Sequence, residues 1–285
     1  MSGRRELWRW SLVAPPLVVS VALFLGPLAY LFYVSVHETS PTELYGAWSL
    51  ANYAAIASDP FYLVIIRRTL VTALVVLALA LVIGYPVAFW IARLPARARS
   101  LALLALLFPL MVSNVVRAYG WVAILGRRGV INTGLRELEL IDSPLGLLYS
   151  PEAVVLGLLT ILLPYMVISI ANVLASLDPR YEEAAQALGA GPIRTFVHVT
   201  LPLSAPGVAS GLLLVFLLTL SAYVTIAVLG GPQSKLLVSL VYDSVVSFHW
   251  PQAAALAFTL LAIALTVAGA IMAVVRPGRV LGGRR

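Results

Sequence analysis

Long stretches without a single charged residue dominate this sequence, and each is long enough to cross a bilayer as a helix. A transmembrane helix needs about 20 predominantly apolar residues. The charge-free stretches cover residues 11–36, 69–92, 153–177, 199–234 and 250–275. A strand with an open edge would leave backbone N–H and C=O groups unpaired in lipid, whereas a helix pairs them internally. The chain is therefore predicted to be an all-α, polytopic membrane protein.

A sixth span is predicted near residues 100–125, where Arg117 is the single charged residue. The stretch 199–234 is long enough for one helix followed by a turn at Gly230, Gly231 and Pro232. We expect six transmembrane helices in a single domain over residues 1–285. The first stretch is interpreted as a span and not as a cleaved signal peptide, because its apolar run exceeds the roughly 7–15 residues of a signal core.

Composition excludes several classes of function. Hydrophobic residues make up 61% of the chain and charged residues 11%, against about 45–50% and about 25% in soluble domains. No cysteine is present, so disulfides, zinc–thiolate sites and cysteine nucleophiles are excluded. The three histidines, His37, His198 and His249, fall in predicted loops or at span edges. With no Gly-x-Ser-x-Gly or His-Glu-x-x-His pattern, we predict no catalytic residue, no metal site and no enzymatic activity.

The distribution of Lys and Arg predicts the orientation. Six spans place both termini on one side, and that side collects twelve basic residues against seven on the other. Basic residues accumulate on the cytoplasmic side, so the termini and the loops near residues 96 and 188 are predicted to be cytoplasmic. The net charge of +7 then reflects topology and not nucleic-acid binding. The twelve are Arg4, Arg5, Arg9, Arg93, Arg97, Arg99, Arg180, Arg194, Arg276, Arg279, Arg284 and Arg285; the seven are Arg67, Arg68, Arg117, Arg127, Arg128, Arg136 and Lys235.

The predicted cytoplasmic loop at about residues 178–202 has an unusual pattern. Asp178 is a suitable N-cap and Pro179 suits the first helical position. Gly189 is expected to turn the chain in a left-handed or similarly open conformation before Pro192 begins a second helix. The loop is thus predicted to be two short amphipathic helices at a glycine corner, which either dock into a partner or lie on lipid.

Helical spacing predicts the faces of these two helices. The first helix has one mainly apolar face and an opposite polar face. The second helix has an apolar stripe along one side. The apolar face of the first helix is Tyr181, Ala184, Ala185 and Leu188, its polar face is Glu182, Glu183 and Gln186, and the stripe of the second is Ile193, Phe196, Val197 and Leu201.

The residues of this loop resemble a family signature. Glu183-Ala184-Ala185, Gly189 and Leu201-Pro202 have the spacing of the EAA loop of ABC importer permeases, with Val199 in place of the usual Ile. The resemblance implies that the loop couples the chain to a separate ATPase by inserting into a cleft of that subunit. The residues that it implicates are Glu183, Ala184, Ala185, Gly189, Pro192, Arg194, Val199, Leu201 and Pro202.

Further strings are similar to the spermidine/putrescine-type permeases. They lie at 114–121, 129–132, 221–224 and 230–232. Permeases for aminoethylphosphonate, opines, amino acids or other small solutes look much alike, so the cargo is left open between a polyamine and these alternatives.

The resemblance implies a type I ABC importer in a bacterial or archaeal cell (inner) membrane. Its other components would be a second permease, homologous or identical, two copies of an ATPase, and a periplasmic or lipid-anchored solute-binding protein. The sequence has no Gly-x-x-x-x-Gly-Lys-[Ser/Thr] phosphate loop. ATP and Mg²⁺ are therefore expected to act in the partner ATPase, with no cofactor bound by this chain.

An ion-coupled secondary transporter or a channel subunit is the alternative. Ion-coupled carriers usually place a carboxylate within the membrane despite its cost. None of the twelve acidic residues falls inside a predicted span, which favours an external source of energy.

Four residues are candidates for the translocation path. The rings of Tyr119, Trp121 and Tyr223 could contact a small organic cation by cation–π interactions, or could simply pack helices. Arg117 would repel a cation unless Asp142 pairs with it or it faces the partner subunit. An unpaired Arg117 lining the path would make an anionic or zwitterionic cargo more natural.

Overall fold

The computed structural model describes residues 2–40 and 44–274, with side chains from Pro15 onward. The regular secondary structure of these residues is helical, apart from one isolated antiparallel bridge between His37 and Trp48. The side chains of the terminal basic residues counted above lie outside the described part. The helices are α1 Ser2–Ser35, α2 Ala51–Ser58, α3 Pro60–Ala92, α4 Ala96–Leu107, α5 Asn114–Leu125, α6 Val130–Glu137, α7 Pro151–Ser176, α8 Arg180–Ala187, α9 Pro192–Thr195, α10 Leu201–Leu203, α11 Ala205–Ser221, α12 Tyr223–Leu229, α13 Leu237–Val246 and α14 Trp250–Val274.

Four helices are long and apolar enough to cross a membrane singly: α1 from Pro15, α3, α7 and α14. Two further candidates are bent pairs of helices. Ala96–Met111 meets Asn114–Glu137 at 87°, and Pro192–Leu203 meets Ala205–Ser221 at 60°. When each bent pair counts as one span, the total is six, as the apolar stretches predict.

The third predicted span, residues 100–125, is not one continuous helix. After α4 the chain forms a 3₁₀ turn, Phe108–Met111, with Pro109 near its start. Val112 and Ser113 then adopt extended ψ values of 132° and 137° before α5 begins. Proline lacks a backbone N–H and fixes its φ, so it favours such an interruption. The sequence predicted a span here but not its bend, because apolarity does not reveal a change in helix direction.

The fifth apolar stretch is also divided. Helix α11 ends at Ser221, Ala222 takes a ψ of 59°, and α12 follows from Tyr223. The predicted turn is confirmed at Gly231, whose φ of 61° opens a 3₁₀ turn, Pro232–Ser234. Helices α11 and α12 therefore lie where one helix was predicted.

The basic residues Arg67 and Arg68 lie about two turns inside α3. Helix α3 has 33 residues, and at about 1.5 Å per residue it is roughly 50 Å long. The hydrocarbon core is about 30 Å thick, so a helix of this length extends beyond it. Arg68 donates a hydrogen bond to the Gln233 carbonyl and so ties the turn after α12 to α3.

The chain divides into two compact units, Met1–Leu63 with Leu240–Thr259, and Val64–Ser239 with Leu260–Arg285. In the first unit, the rings of Phe32 and Phe258 lie edge to face with centroids 5.3 Å apart. Gln252 there donates a hydrogen bond to the Tyr62 hydroxyl at 2.6 Å. That the whole chain forms a single domain over residues 1–285 remains a prediction.

The second unit is built around α7, whose buried side chains include Leu158, Met166 and Ile170. Two glycines of α11, four residues apart, allow α11 to approach α7 closely. A Cβ on Gly207 would lie 3.0 Å from the Ser169 carbonyl oxygen, and a Cβ on Gly211 would lie 2.6 Å from the Met166 sulfur. Small residues at this spacing are typical of closely packed membrane helices, where dispersion contacts drive association.

We expect Gly207→Val to destabilise this unit. Its side chain would collide with the backbone of α7, and overpacking of this kind costs about 1–3 kcal/mol. Gly269→Val is the matched control, because a Cβ at that glycine of α14 meets nothing within 4 Å. Thermal unfolding in detergent should show a lower midpoint for Gly207→Val only; equal midpoints for the two variants would contradict the close packing.

Candidate functional site

The loop between α7 and α11 forms the predicted helical corner. The Asp178 carboxylate accepts a hydrogen bond from the Arg180 N–H at 3.0 Å, as an N-cap does. Helix α8 follows, and Gly189 then takes a φ of +86°. This left-handed conformation is accessible to glycine and unfavourable for other residues. Pro192 begins α9, so the predicted order of helix, glycine corner and helix is confirmed.

The corner presents apolar side chains to the surroundings. Leu188 is 90% exposed and Ile193 is 79% exposed, and α8 buries no residue. Tyr181 is exposed as well, so the predicted apolar face of α8 is not covered by the chain itself. An exposed apolar edge on a short helical corner is typical of a surface that docks into a partner.

The second predicted stripe is largely exposed. Of Ile193, Phe196, Val197 and Leu201, only Phe196 is half-buried, while Thr195 and Thr200 are buried. A π-helical segment, Phe196–Thr200, interrupts this stripe. A π turn accommodates one extra residue, so side chains beyond it no longer follow the 3.6-residue period.

Glu182 does not lie on the outer polar edge, where the sequence pattern placed it beside Glu183. Both of its carboxylate oxygens accept from Arg93 Nη2 at 2.9 Å. Its Oε1 also accepts from the Thr200 hydroxyl at 2.6 Å. The side chains of Arg93 and Glu182 are 45% and 32% exposed, and ion pairs this accessible contribute about 0–1 kcal/mol. Glu182 therefore joins α8 to the residue that follows α3.

An aromatic cluster supports this ion pair. The guanidinium carbon of Arg93 lies 3.5 Å from the ring centroid of Phe89. Phe196 packs edge to face on Phe89 and on Tyr85, with centroids 5.3 Å and 5.8 Å away. The hydroxyls of Tyr85 and Ser204 are 2.8 Å apart and hydrogen-bonded. The cluster thus connects the C-terminal part of α3 to the π-helical segment and to the start of α11.

Sequence reasoning missed the ion pair between Arg93 and Glu182. Arg93 was counted only as a topological charge, although it directly follows an apolar run, which is a signal for a contact at the end of a helix. A cavity of about 350 Å³ opens beside the pair and includes Arg99 and Asp178 in its lining. Of the signature residues, Glu183, Ala184, Gly189, Pro192, Arg194 and Leu201 are exposed, and Ala185, Val199 and Pro202 are partly buried.

A second cavity, of about 190 Å³, lies where two helices begin after a break. Asn114 opens α5 and Tyr223 opens α12, and both line it together with Tyr165 of α7. Its volume is below the roughly 300–1,000 Å³ of pockets for drug-sized ligands. Breaks in membrane helices are tolerated where they line a cavity, because polar backbone groups are then not exposed to lipid.

The structure separates the four candidate path residues. Tyr223 lines the smaller cavity. Trp121 donates through Nε1 to the Thr160 hydroxyl at 3.1 Å and packs against the core, and Tyr119 is exposed. Arg117 Nη2 donates to the Asn114 side chain at 2.5 Å, whereas its Nε and Nη1 atoms are buried without a partner.

No ion pair joins the described residues Arg117 and Asp142, so this condition for a cationic path is not met, and the alternative that Arg117 faces a partner subunit stays a prediction. Arg117 reaches the smaller cavity only indirectly, through Asn114. The sequence had no signal for Asn114 or Tyr165, because their shared cavity depends on where α5, α7 and α12 meet.

Comparison with known proteins identifies the family. The model of the family described as "binding-protein-dependent transport system inner membrane component" matches residues 80–278. The chain is 35% identical over 214 residues to the spermidine/putrescine transport system permease protein PotB of Salmonella typhimurium strain LT2, covering 75% of this chain and 74% of that one. It is 34% identical over 214 residues to PotB of Escherichia coli K12, covering 75% and 78%.

The fold is shared with a solved importer. A bacterial ABC transporter involved in the import of the acidic polysaccharide alginate contains a chain that superposes with a TM-score of 0.74 at 17% identity, covering 98% of each chain. Permeases of this kind are transport components and not enzymes, and the family resides in the inner membrane. The ion-coupled carrier is thereby set aside: this chain belongs to the family of binding-protein-dependent transport system inner membrane components, the multi-pass permease subunits of ABC importers.

Proposed function

We propose that this permease forms the translocation path for a polyamine, such as spermidine or putrescine, or for a related small amine. The observation that carries this proposal is the 35% identity over 214 residues to permeases named for spermidine and putrescine transport. The matched family region, residues 80–278, includes the linings of both cavities and the helical corner.

The energy for transport comes from a separate ATPase, present in two copies. The sequence has no phosphate loop of its own, so ATP and Mg²⁺ act in that partner. A second permease, homologous or identical, completes the path, and a periplasmic or lipid-anchored protein delivers the solute. A solved alginate transporter in complex with a periplasmic protein, similar in fold at a TM-score of 0.73, supports this type of assembly.

The helical corner docks into the ATPase. Its exposed edge combines apolar groups, such as Leu188 and Ile193, with the charge of Glu183. The positive φ of Gly189 sets the angle between α8 and α9, and hence the shape of this edge. The other signature residues that are exposed, Ala184, Pro192, Arg194 and Leu201, belong to the same docking surface, while Ala185, Val199 and Pro202 support it from within.

The cargo passes the smaller cavity as a cation. Tyr223 and Tyr165 line it, and each cation–π contact with such a ring contributes about 0.5–2 kcal/mol. Tight recognition of a carboxylate or phosphate by Arg117 would need two free N–H donors. Arg117 does not line this cavity: its Nη2 is bonded to Asn114, and its Nε and Nη1, which have no partner, are buried outside the cavity lining. This favours an amine over an aminophosphonate.

The other two candidate path residues have different roles. Trp121 supports the cavity region through its hydrogen bond to Thr160, and Tyr119 contacts the cargo or the second permease.

Both termini and the helical corner lie in the cytoplasm. The excess of twelve basic residues over seven on that side supports this orientation.

Gly189→Val should leave the spans inserted but lower ATP-dependent uptake, because a side chain in a left-handed conformation costs about 1–2 kcal/mol. Gly191→Val is the matched control: Gly191 has a φ of −67°, which any residue can adopt, and a Cβ there meets nothing within 4 Å.

Glu183→Lys should weaken co-purification of the ATPase, because it reverses the charge on the exposed edge of the corner. Wild-type uptake and ATPase binding in both Gly189→Val and Glu183→Lys, at normal membrane levels, would refute docking through this corner.

Reporter fusions test the orientation. Tags within residues 94–98, or after residue 285, should be cytoplasmic, whereas tags near residues 45 or 140 should be external, because the basic residues concentrate on the first side. A single clear reversal among these four positions would require a different number of spans.

Uptake assays on the complete complex test the cargo. Spermidine or putrescine uptake should fall by roughly two- to thirty-fold in Tyr223→Ala, the range that loss of one cation–π contact predicts. Uptake should also fall in Trp121→Ala, because this change removes the hydrogen bond to Thr160 and packing against the core. Trp90→Ala is the matched control, because Trp90 is 62% exposed on α3 and lines neither cavity. Uptake of an aminophosphonate or amino acid that depends on Arg117, with no polyamine uptake, would overturn the cationic path.

A further inference from the structure

The helical corner is attached to the rest of the second unit by few side chains. Helix α8 buries no residue, so apolar packing holds it only weakly. Its polar anchor is Glu182, which bonds both to Arg93, directly after α3, and to Thr200, at the end of the π-helical segment. One carboxylate therefore connects α8, the end of α3 and the chain that leads into α11.

The surroundings fix the two partners of Glu182 but leave space beside it. Arg93 rests on the ring of Phe89 at 3.5 Å, and Thr200 is only 2% exposed. The cavity of about 350 Å³ lies against the ion pair, and its lining includes Arg93, Glu182 and Thr200. A displacement of α8 can therefore pull on two anchored partners, while the open side accommodates the movement.

We infer that Glu182, Arg93 and Thr200 form a latch that transmits displacement of the helical corner to the end of α3. The inference rests on the proposed docking of the corner onto an ATPase. The adjacent carboxylates then have different tasks: Glu183 faces outward to the partner, and Glu182 faces inward and passes the movement on. Glu182 and Arg93 are positioning residues, because neither contacts the cargo or the nucleotide.

A cysteine reporter can follow the end of α3 without any knowledge of the cargo. The chain contains no cysteine, so Ala96→Cys, at an exposed position three residues after Arg93, gives a single reactive thiol. In the complex with its ATPase, the rate of maleimide labelling is compared between the nucleotide-free state and the state trapped with ATP and vanadate. With an intact latch the two rates should differ by about threefold or more, a change of the size an exposed ion pair can support.

Glu182→Ala and Arg93→Ala, each in the Ala96→Cys background, should abolish this difference. The ATPase should still co-purify and hydrolyse ATP within about twofold of the unmutated complex, because the outward face is untouched. The reciprocal pair, Arg93→Glu with Glu182→Arg, should restore the labelling difference, which a purely structural role of either residue would not predict. Arg97→Ala is the matched control, since Arg97 is exposed one turn further along and lies outside the latch.

The latch would be overturned by an unchanged labelling difference in Glu182→Ala, by no recovery of the difference in the reciprocal pair, or by no difference between the two states in the unmutated complex. Loss of the ATPase from Glu182→Ala would also overturn it, because Glu182 would then belong to the docking surface. The docking proposal fails by other results, namely normal ATPase binding and uptake in the Glu183→Lys and Gly189→Val variants, so the two failures are distinguishable.

Discussion

Backbone groups inside a bilayer must find hydrogen-bond partners within the protein, and the helix breaks near residues 113 and 222 are placed where this constraint allows them. Lipid cannot satisfy an exposed N–H or C=O, so an interruption is tolerated where protein or a cavity covers it. The breaks before Asn114 and at Ala222 lead into residues that line one cavity. The π-helical segment Phe196–Thr200 lies against the aromatic cluster of α3. Departures from regular helix therefore coincide with the candidate functional sites.

The energetics of the second unit separate a firm core from a loosely attached corner. Between α7 and α11, glycines permit contacts so close that a single added side chain would have to displace backbone or Met166. The corner, in contrast, depends on one accessible ion pair worth about 0–1 kcal/mol and on a few hydrogen bonds. A unit built in this way can keep its spans packed while the corner moves, which is what the proposed coupling to a separate ATPase requires.

The membership of the family explains a feature of composition that otherwise lacks a reason. Carriers driven by ions usually keep a carboxylate within the membrane, at a cost of about 2.5–3.5 kcal/mol on insertion scales. In the candidate spans that the structure describes, acidic residues occur only near an end, as Glu152 and Glu137 do. An importer that takes its energy from ATP needs no such residue. Arg117 is a basic residue in such a span: its Nη2 donates to Asn114, and its Nε and Nη1 are buried without a partner.

The sequence by itself determined the all-α class, the six apolar spans and the glycine corner, because these depend on local properties. Apolar length decides whether a helix can cross a bilayer, and a missing Cβ decides where a φ of +86° is possible. Only the tertiary structure decided that α4 and α5 meet at 87° and that Glu182 turns inward to Arg93, 89 positions away in the chain. It also decided that the segment Phe196–Thr200 is π-helical, with Thr200 buried and Val197 exposed, which regular periodicity could not predict. Such features arise from contacts between distant segments, and the spacing of residues along one helix carries no record of them.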